Sequence, residues 1–252
     1  MKVSIITVCK NAQDTIEQTI KSVISQTYNN IEYLIIDGKS TDKTLDIVNK
    51  YKNKISGIIS EPDGGLYYAM NKGIEKSTGD IIYFLNAGDL LFDRNTVSNV
   101  INIFKKKKTY IVYGDVAFYN SDIPMKLILR RQNNVNNIFL TYGTISHQSI
   151  FAKRNIFKKY GKFDTRFILQ ADYEWILRSF VKNKIRSYYT NQTITKYLRE
   201  GLSSNSEING FRERLKILPL YFSFPQILFN GLLIWFLYRI VKKVKRDWFS
   251  KG

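Results

Sequence analysis

Three aspartates in the first 90 residues, Asp37, Asp63 and Asp89, each lie just past a short apolar run. The runs are Tyr33–Ile36, Ile55–Ile59 and Ile81–Leu85, and helical patterns separate them. A first run, Val3–Val8, precedes a stripe of Ile16, Ile20, Val23 and Ile24 at helical spacing. Strands alternating with helices of this length predict a parallel sheet with right-handed crossovers. In such a sheet the residues just beyond the strands share one edge, where ligands bind. Three carboxylates distant in sequence are therefore predicted to meet at one cleft. Such a cluster suits a divalent metal and the hydroxyls of a nucleotide.

Further elements follow the same logic. Ser40 and Thr41 are candidate N-caps for a helix bearing Leu45, Val48 and Tyr51, and Leu66, Met70 and Ile74 mark the next helix. After about residue 105 the rhythm changes. Ile111–Tyr119 and Met125–Arg131 read as strands joined by a turn at Asn120–Pro124, and Gln132–Asn137 reads as a polar loop. A helix is expected over Asp172–Val181 and a last strand over Thr193–Leu198. The expected organisation is one catalytic domain, 1–205, in two parts, 1–104 and 105–205. A helical, basic and apolar appendage is expected at 206–252.

Charge divides the chain unevenly. The first 100 residues hold 11 Lys or Arg against 12 Asp or Glu, and the remainder holds 28 against 9. That asymmetry implies an anionic partner for the second half. Residues 215–241 are apolar and aromatic, interrupted by Pro219 and Pro225, and lead into Lys242, Lys243, Lys245 and Arg246. The stretch after Pro225 is shorter than the roughly 20 apolar residues of a membrane span. It predicts an interfacial helix or hairpin on an anionic membrane surface, with Trp235, Tyr238 and Trp248 at headgroup level. The alternative is a helix that packs on its own domain or forms an oligomer. Nucleic acid is disfavoured because the basic run adjoins bulk hydrophobes. Cys9, the single cysteine, excludes a disulfide framework and a cysteine-based zinc site. Met1-Lys2 leads directly into the first strand, so the expectation is a protein at the cytoplasmic face of the membrane, peripheral or monotopic.

No G-x-G-x-x-G follows the first strand and no G-x-x-x-x-G-K-[ST] occurs anywhere. A nucleotide bound here needs another means of neutralising its diphosphate, and a divalent metal on a strand-end carboxylate supplies it. Asp89 is placed for that, though an Asp in a Gly-Asp turn is also a common turn residue.

The ordered stretches Ser4-Ile5-Ile6-Thr7-Val8, Ile36-Asp37-Gly38-Lys39-Ser40-Thr41-Asp42, Glu61-Pro62-Asp63-Gly64-Gly65 and Ala69-Met70-Asn71-Lys72-Gly73 carry a resemblance. Leu85-Asn86-Ala87-Gly88-Asp89, His147-Gln148, Gly161-Lys162-Phe163-Asp164 and Ala171-Asp172-Tyr173-Glu174-Trp175 extend it to about residue 205. Together they resemble the family 2 glycosyltransferases of GT-A fold, most of all those that build bacterial O-antigen and capsular polysaccharides. The resemblance implies an α/β, Rossmann-like, mostly parallel sheet and an inverting transfer from a nucleotide-sugar donor, expected to be UDP-linked and bound by residues 1–104, to a lipid-linked saccharide acceptor bound by residues 105–205. Thr7 would line the base pocket, Asp37 and Asp63 would hold uracil and ribose, and Asn71 and Lys72 would lie near the donor. Asp89 would match the last acid of the D-x-D motif and hold Mn2+ or Mg2+, while Ala87 stands at the motif's first acidic position. Asp172 would be the general base.

The residues themselves agree on Asp172. In-line displacement at an anomeric carbon needs a carboxylate opposite the leaving group to take the acceptor's proton. The competing reading is a plain helix N-cap, and Glu174 is the rival base. His147, the only histidine, is either structural or a ligand to the metal or diphosphate. Two other classes stay open at this point. A metal-dependent nucleotidyltransferase would want a basic Gly-rich loop where Asn11-Ala12-Gln13 stands, and a non-catalytic membrane-binding module would not need four such aspartates.

Overall fold

The computed structural model describes residues 1–119, 128–133, 135–198 and 207–230. In chain order the strands are β1 (Val3–Cys9), β2 (Ile31–Asp37), β3 (Gly57–Ser60), β4 (Ile81–Phe84), β5 (Leu90–Leu91), β6 (Ile111–Tyr119), β7 (Ile128–Arg130), β8 (Ile150–Lys153) and β9 (Ser187–Leu198). The helices are α1 (Ile16–Ile24), α2 (Thr44–Lys50), α3 (Leu66–Lys76), α4 (Thr96–Lys106), α5 (Asn137–Tyr142), α6 (Arg154–Tyr160), α7 (Ala171–Leu177) and α8 (Glu207–Ile217).

One sheet runs β3-β2-β1-β4-β8-β6-β9-β5, with β7 added on β6. Its first four strands are all parallel, as the alternating pattern predicts. From β4 onward the pairings with β8, β6, β7 and β5 are antiparallel, and only β6–β9 is parallel. Alternation along β1 separates two cores. Ile6 and Val8 face a layer holding Met70 and Ile74 of α3 with Trp175 and Ile176 of α7. Val3, Ile5 and Cys9 face Ile16, Ile20 and Val23 of α1 with Val97, Val100 and Ile101 of α4. Each such fully buried aliphatic chain contributes about 1.5–3 kcal/mol against an extended reference, an upper estimate.

Several element ends differ from expectation. Ser40 and Thr41 do not cap α2. The Ser40 hydroxyl donates to Asp37, and the Thr41 amide donates to Asn11 Oδ1 at 2.9 Å. Asp42 serves the helix instead, accepting from the Thr44 amide at 2.9 Å. The helix expected over Asp172–Val181 is α7 followed by a π-helical turn, Arg178–Lys182. The last strand begins at Ser187 rather than Thr193 because residues 187–189 already pair with 111–113 of β6. The turn Asn120–Pro124 and the part of the expected membrane-surface segment from 231 on lie outside the described residues.

The expected boundary at 205/206 does not separate two packing units. Ile217 is fully buried, and it joins Leu218 and Phe222 in the same core as Ile6, Met70 and Trp175. Among the described residues no helix is long and apolar enough to cross a membrane.

Candidate active site

The register places the sequence-predicted carboxylates at one edge. Cys9 pairs with Asp37, and Asp37 with Ser60, so the ends of β1, β2 and β3 lie side by side. Ala87 continues that edge beyond β4, its amide donating to Val8 O at 3.1 Å.

Asp37 is fully buried and its carboxylate works inward. Oδ2 accepts from the Ser40 amide at 3.0 Å and the Ser60 hydroxyl at 2.6 Å, and Oδ1 from the Ser40 hydroxyl and, weakly, the Cys9 thiol. Burial, then the Asp37 charge, pushes the Cys9 thiol far up, so this thiol stays protonated and inert. Asp37 thus fixes the loop from 38 to 42 rather than presenting a free oxygen. Thr7 is likewise fully buried, its hydroxyl 3.1 Å from that of Tyr33 within the sheet layer.

Asp63 is the half-exposed carboxylate at this edge. Its Oδ1 accepts from the Gly65 amide at 3.0 Å, which shapes the turn into α3. Its Oδ2 sits where a Cβ on Gly38 would come within 2.8 Å, and that same Cβ would lie 3.3 Å from Lys10 Cδ. The bare backbone of Gly38 therefore leaves room for the Asp63 carboxylate and the Lys10 stem at the end of β2. Lys10 is exposed. Lys72 on α3 pairs with Glu61 at 2.7 Å, bracing the same loop. Asn71 points the other way. Its amide nitrogen donates to Phe163 O at 2.8 Å and its oxygen accepts from the Phe163 amide at 3.0 Å. Asn71 clamps residue 163 to α3 with both ends engaged.

A second cluster sits where α3, α7 and the turn before β8 meet. Asp172 accepts from the Tyr67 hydroxyl on Oδ1 at 2.8 Å and faces His147 Nδ1 through Oδ2 at 3.0 Å. Its own Oδ1 also accepts from the Tyr173 amide at 2.8 Å. It occupies the second position of α7, and Gln170 is the cap residue, so the plain N-cap reading does not describe it. The side chain is 18% exposed. Burial pushes its pKa up, but hydrogen bonds from His147, Tyr67 and the Tyr173 amide outweigh burial, and the carboxyl ends below the ordinary aspartate range. Asp172 is an anion at neutral pH and stays partly exposed. Glu174, the rival, is buried and engaged by Arg178 at 2.8 and 3.1 Å and by the Tyr221 hydroxyl.

The His147 ring is held at both nitrogens. With Nδ1–H donating to Asp172, Nε2 accepts from Asn86 Nδ2 at 3.2 Å. This leaves Asn86 Oδ1 as the buried side-chain oxygen without a partner among the described residues. Gln132, which reads from sequence as part of a polar loop, is a buried hub for this turn. It donates to Gly114 O and Ser149 Oγ and accepts from the Ser146 amide at 2.7 Å, next to His147. Neither the Tyr67 contact nor Gln132 has a local sequence signal, since their partners lie 105 and 14–18 residues away.

The expected metal position is the turn Asn86-Ala87-Gly88-Asp89. The Asp89 amide donates to Asn86 O at 3.0 Å, and the Gly88 amide donates to Thr19 of α1 at 3.0 Å. Gly88 has φ +97°, where a side chain is strained. Asp89 is 4% exposed. Among the described residues no three His, Cys, Asp or Glu side chains gather as a cage. One carboxylate, Asp89, and the orphaned amide oxygen of Asn86 in the same turn do fit a hard divalent ion whose remaining ligands are diphosphate oxygens. His147 offers no spare nitrogen in this arrangement.

Comparison with known proteins follows this geometry. The family model for glycosyl transferase family 2 matches residues 4–163. A "PGL/p-HBAD biosynthesis glycosyltransferase" of Mycobacterium bovis is 29% identical over 227 residues, 86% of this chain and 84% of its own length. The Escherichia coli protein "UDP-Glc:alpha-D-GlcNAc-diphosphoundecaprenol beta-1,3-glucosyltransferase WfaP" is 31% identical over 216 residues, covering 85% and 83%. Among solved structures, S. aureus TarS 1-349 in complex with UDP superposes with TM-score 0.65 at 17% identity, over 86% of this chain and 64% of that one. The Pyrobaculum calidifontis mannosyltransferase PcManGT, in complex with GDP-Man and Mn2+, superposes with TM-score 0.64 at 16% identity, over 85% and 64%. The present chain thus spans less than two thirds of those crystallised proteins, and the likeness to them is one of fold, the GT-A arrangement. With the family model spanning more than half of its length, the chain belongs to glycosyl transferase family 2 and is a glycosyltransferase.

Proposed function

We propose that this enzyme transfers a sugar, with inversion, from a UDP-linked donor to a hydroxyl of a lipid-linked saccharide at a membrane surface. The observation that carries the proposal is the Asp172 carboxylate, held by Tyr67 on one oxygen and His147 on the other and still partly exposed. A carboxylate so placed can take the acceptor hydroxyl's proton as the oxygen attacks the anomeric carbon. The new C–O bond forms as the bond to the diphosphate breaks, and the electron pair leaves on the diphosphate. Tyr67 and His147 keep the carboxylate aimed and replace water around it.

The donor nucleotide is assigned to the edge of β1 to β3. Asp63 and the exposed Lys10 face that space, with Lys72 braced beside them through Glu61. Asp37, Thr7 and Asn71 support it from behind through loop 38–42, the sheet and residue 163. Mn2+ or Mg2+ would be held by Asp89 with Asn86 Oδ1 and would offset the charge of the departing diphosphate. A UDP donor is supported by the UDP complex of the TarS likeness, a lipid-linked acceptor by the name of the WfaP relative, and a divalent ion by the PcManGT complex.

The membrane surface is assigned to the outer face of the C-terminal helices. Ile208, Phe211 and Leu215 fall at i, i+3 and i+7 of α8 and are 72, 61 and 50% exposed. Phe224, Leu228 and Phe229 continue the exposed apolar face, and the sequence beyond is basic. A screen of the purified chain against UDP-, GDP- and dTDP-sugars, scored for slow hydrolysis with and without Mn2+, tests the donor assignment. Turnover of UDP-sugars only with the ion supports it, and equal turnover of the other classes contradicts it.

A further inference from the structure

Helix α8 reaches back over the turn that enters α7. Glu213 accepts from the Ile168 amide through Oε1 at 3.0 Å. Its Oε2 accepts from the Leu169 and Gln170 amides at 2.9 and 3.0 Å. These amides precede α7, whose own cap residue, Gln170, makes no side-chain cap. A carboxylate from 43–45 residues away therefore does the work that a local N-cap does elsewhere.

The same turn is gripped from the opposite side. The Tyr67 hydroxyl lies 3.2 Å from Leu169 O and 2.8 Å from Asp172 Oδ1. Residues 168–172 are thus clamped between α3 and α8. Arg214 adds to the grip, with its guanidinium 4.2 Å over the Tyr173 ring and Nη1 donating to Tyr142 O at 2.8 Å. The approach is close, since a Cβ on Gly210 would come 3.1 Å from Gln170 Nε2. The core anchors of this segment are Ile217, Leu218 and Phe222 instead. Glu213 itself is half-buried and both its carboxylate oxygens are turned onto residues 168–170.

We infer that Glu213 is a positioning residue for sugar transfer: it fixes the turn that aims Asp172, and through it α8 forms part of the active site. The inference rests on the reading of Asp172 as the base. It also links the exposed apolar face of α8 to the reacting carboxylate through a single helix.

The test uses the full chain as wild type, Glu213→Gln, Glu213→Ala, Asp172→Asn and the double variant Glu213→Ala/Asp172→Asn. UDP affinity and hydrolysis of UDP-glucose and UDP-N-acetylglucosamine are measured, together with the imidazole NMR signals of the single histidine. Glutamine brings donors against the three amides, so both Glu213 variants should lose kcat by on the order of 10–10² while UDP affinity holds. In the Asp172→Asn background Glu213→Ala should add no further loss, because the two act as a unit. The His147 signals in Glu213→Ala should move toward those in Asp172→Asn. An independent further loss in the double variant, or unmoved His147 signals in folded Glu213→Gln, overturns the inference. A normal rate in Asp172→Asn alone instead retires the base assignment.

Discussion

His147 Nδ1 lies 3.0 Å from Asp172 Oδ2, so the only imidazole of the chain is fastened to the carboxylate proposed to take the acceptor's proton. Its other nitrogen is occupied by Asn86. One ring therefore joins the turn at Asn86 to Asp172.

That contact fixes a pH dependence. Burial pushes the Asp172 pKa up, and His147 and Tyr67 more than reverse this, so the folded value lies below that of the unfolded chain. The resulting stability is present above the unfolded value of about 4 and is lost as pH falls through the lower folded one. His147→Gln removes the first-named of these hydrogen-bond partners. The acid limb of the rate profile should shift to higher pH, with kcat at neutral pH lowered by on the order of 10 or more. A kcat–pH profile for both proteins checks it, and an unmoved acid limb counts against the contact.

Asn71→Ala should act on stability rather than on the nucleotide. It breaks both hydrogen bonds to the Phe163 backbone and leaves two polar groups without partners. The expected loss is about 1–3 kcal/mol. Thermal melts with and without UDP should show a lower midpoint and an unchanged UDP-induced increment. A lost increment would return Asn71 to direct donor contact.

Asp89→Ala should remove the Mn2+-dependent part of UDP binding while the protein remains folded, since the turn is also held by the Gly88 amide on Thr19. Calorimetric titration of UDP with and without Mn2+ measures this. Wild-type enhancement by the ion should vanish in the variant, and full enhancement there would move the metal elsewhere.

The C-terminal segment should separate membrane contact from folding. Phe211→Ser with Leu215→Ser changes exposed side chains and should lower flotation with anionic liposomes at little cost in melting temperature. Deletion after residue 210 should instead unfold the protein, because it removes Ile217, Leu218 and Phe222 from the core. A soluble, folded, UDP-binding truncation would mean that these residues are a detachable tail.

The parallel half of the sheet was legible because buried parallel strands read as apolar runs and their ends must share an edge. Thus the strand pattern alone puts Asp37, Asp63 and Asp89 at one rim. What each does there was not legible. Asp37 turned inward because Ser40 and Ser60 reach it, one of them from a strand 23 residues on. The second half resisted reading for a related reason. Its strands include three-residue β7, and β6 pairs antiparallel with both β7 and β8, so periodicity has little length to act on. Gln132 and Glu213 look like loop and surface residues in sequence. Their roles come from partners that only the fold supplies.

The most direct test of the account is Asp172→Asn in the full-length protein. The amide is nearly isosteric and leaves the Tyr67 and Tyr173 hydrogen bonds possible at one oxygen. UDP affinity and melting temperature should stay near wild type while sugar transfer or donor hydrolysis falls by a factor on the order of 10²–10⁴. A variant that binds UDP and turns donor over at the wild-type rate would contradict the assignment of Asp172 as the base.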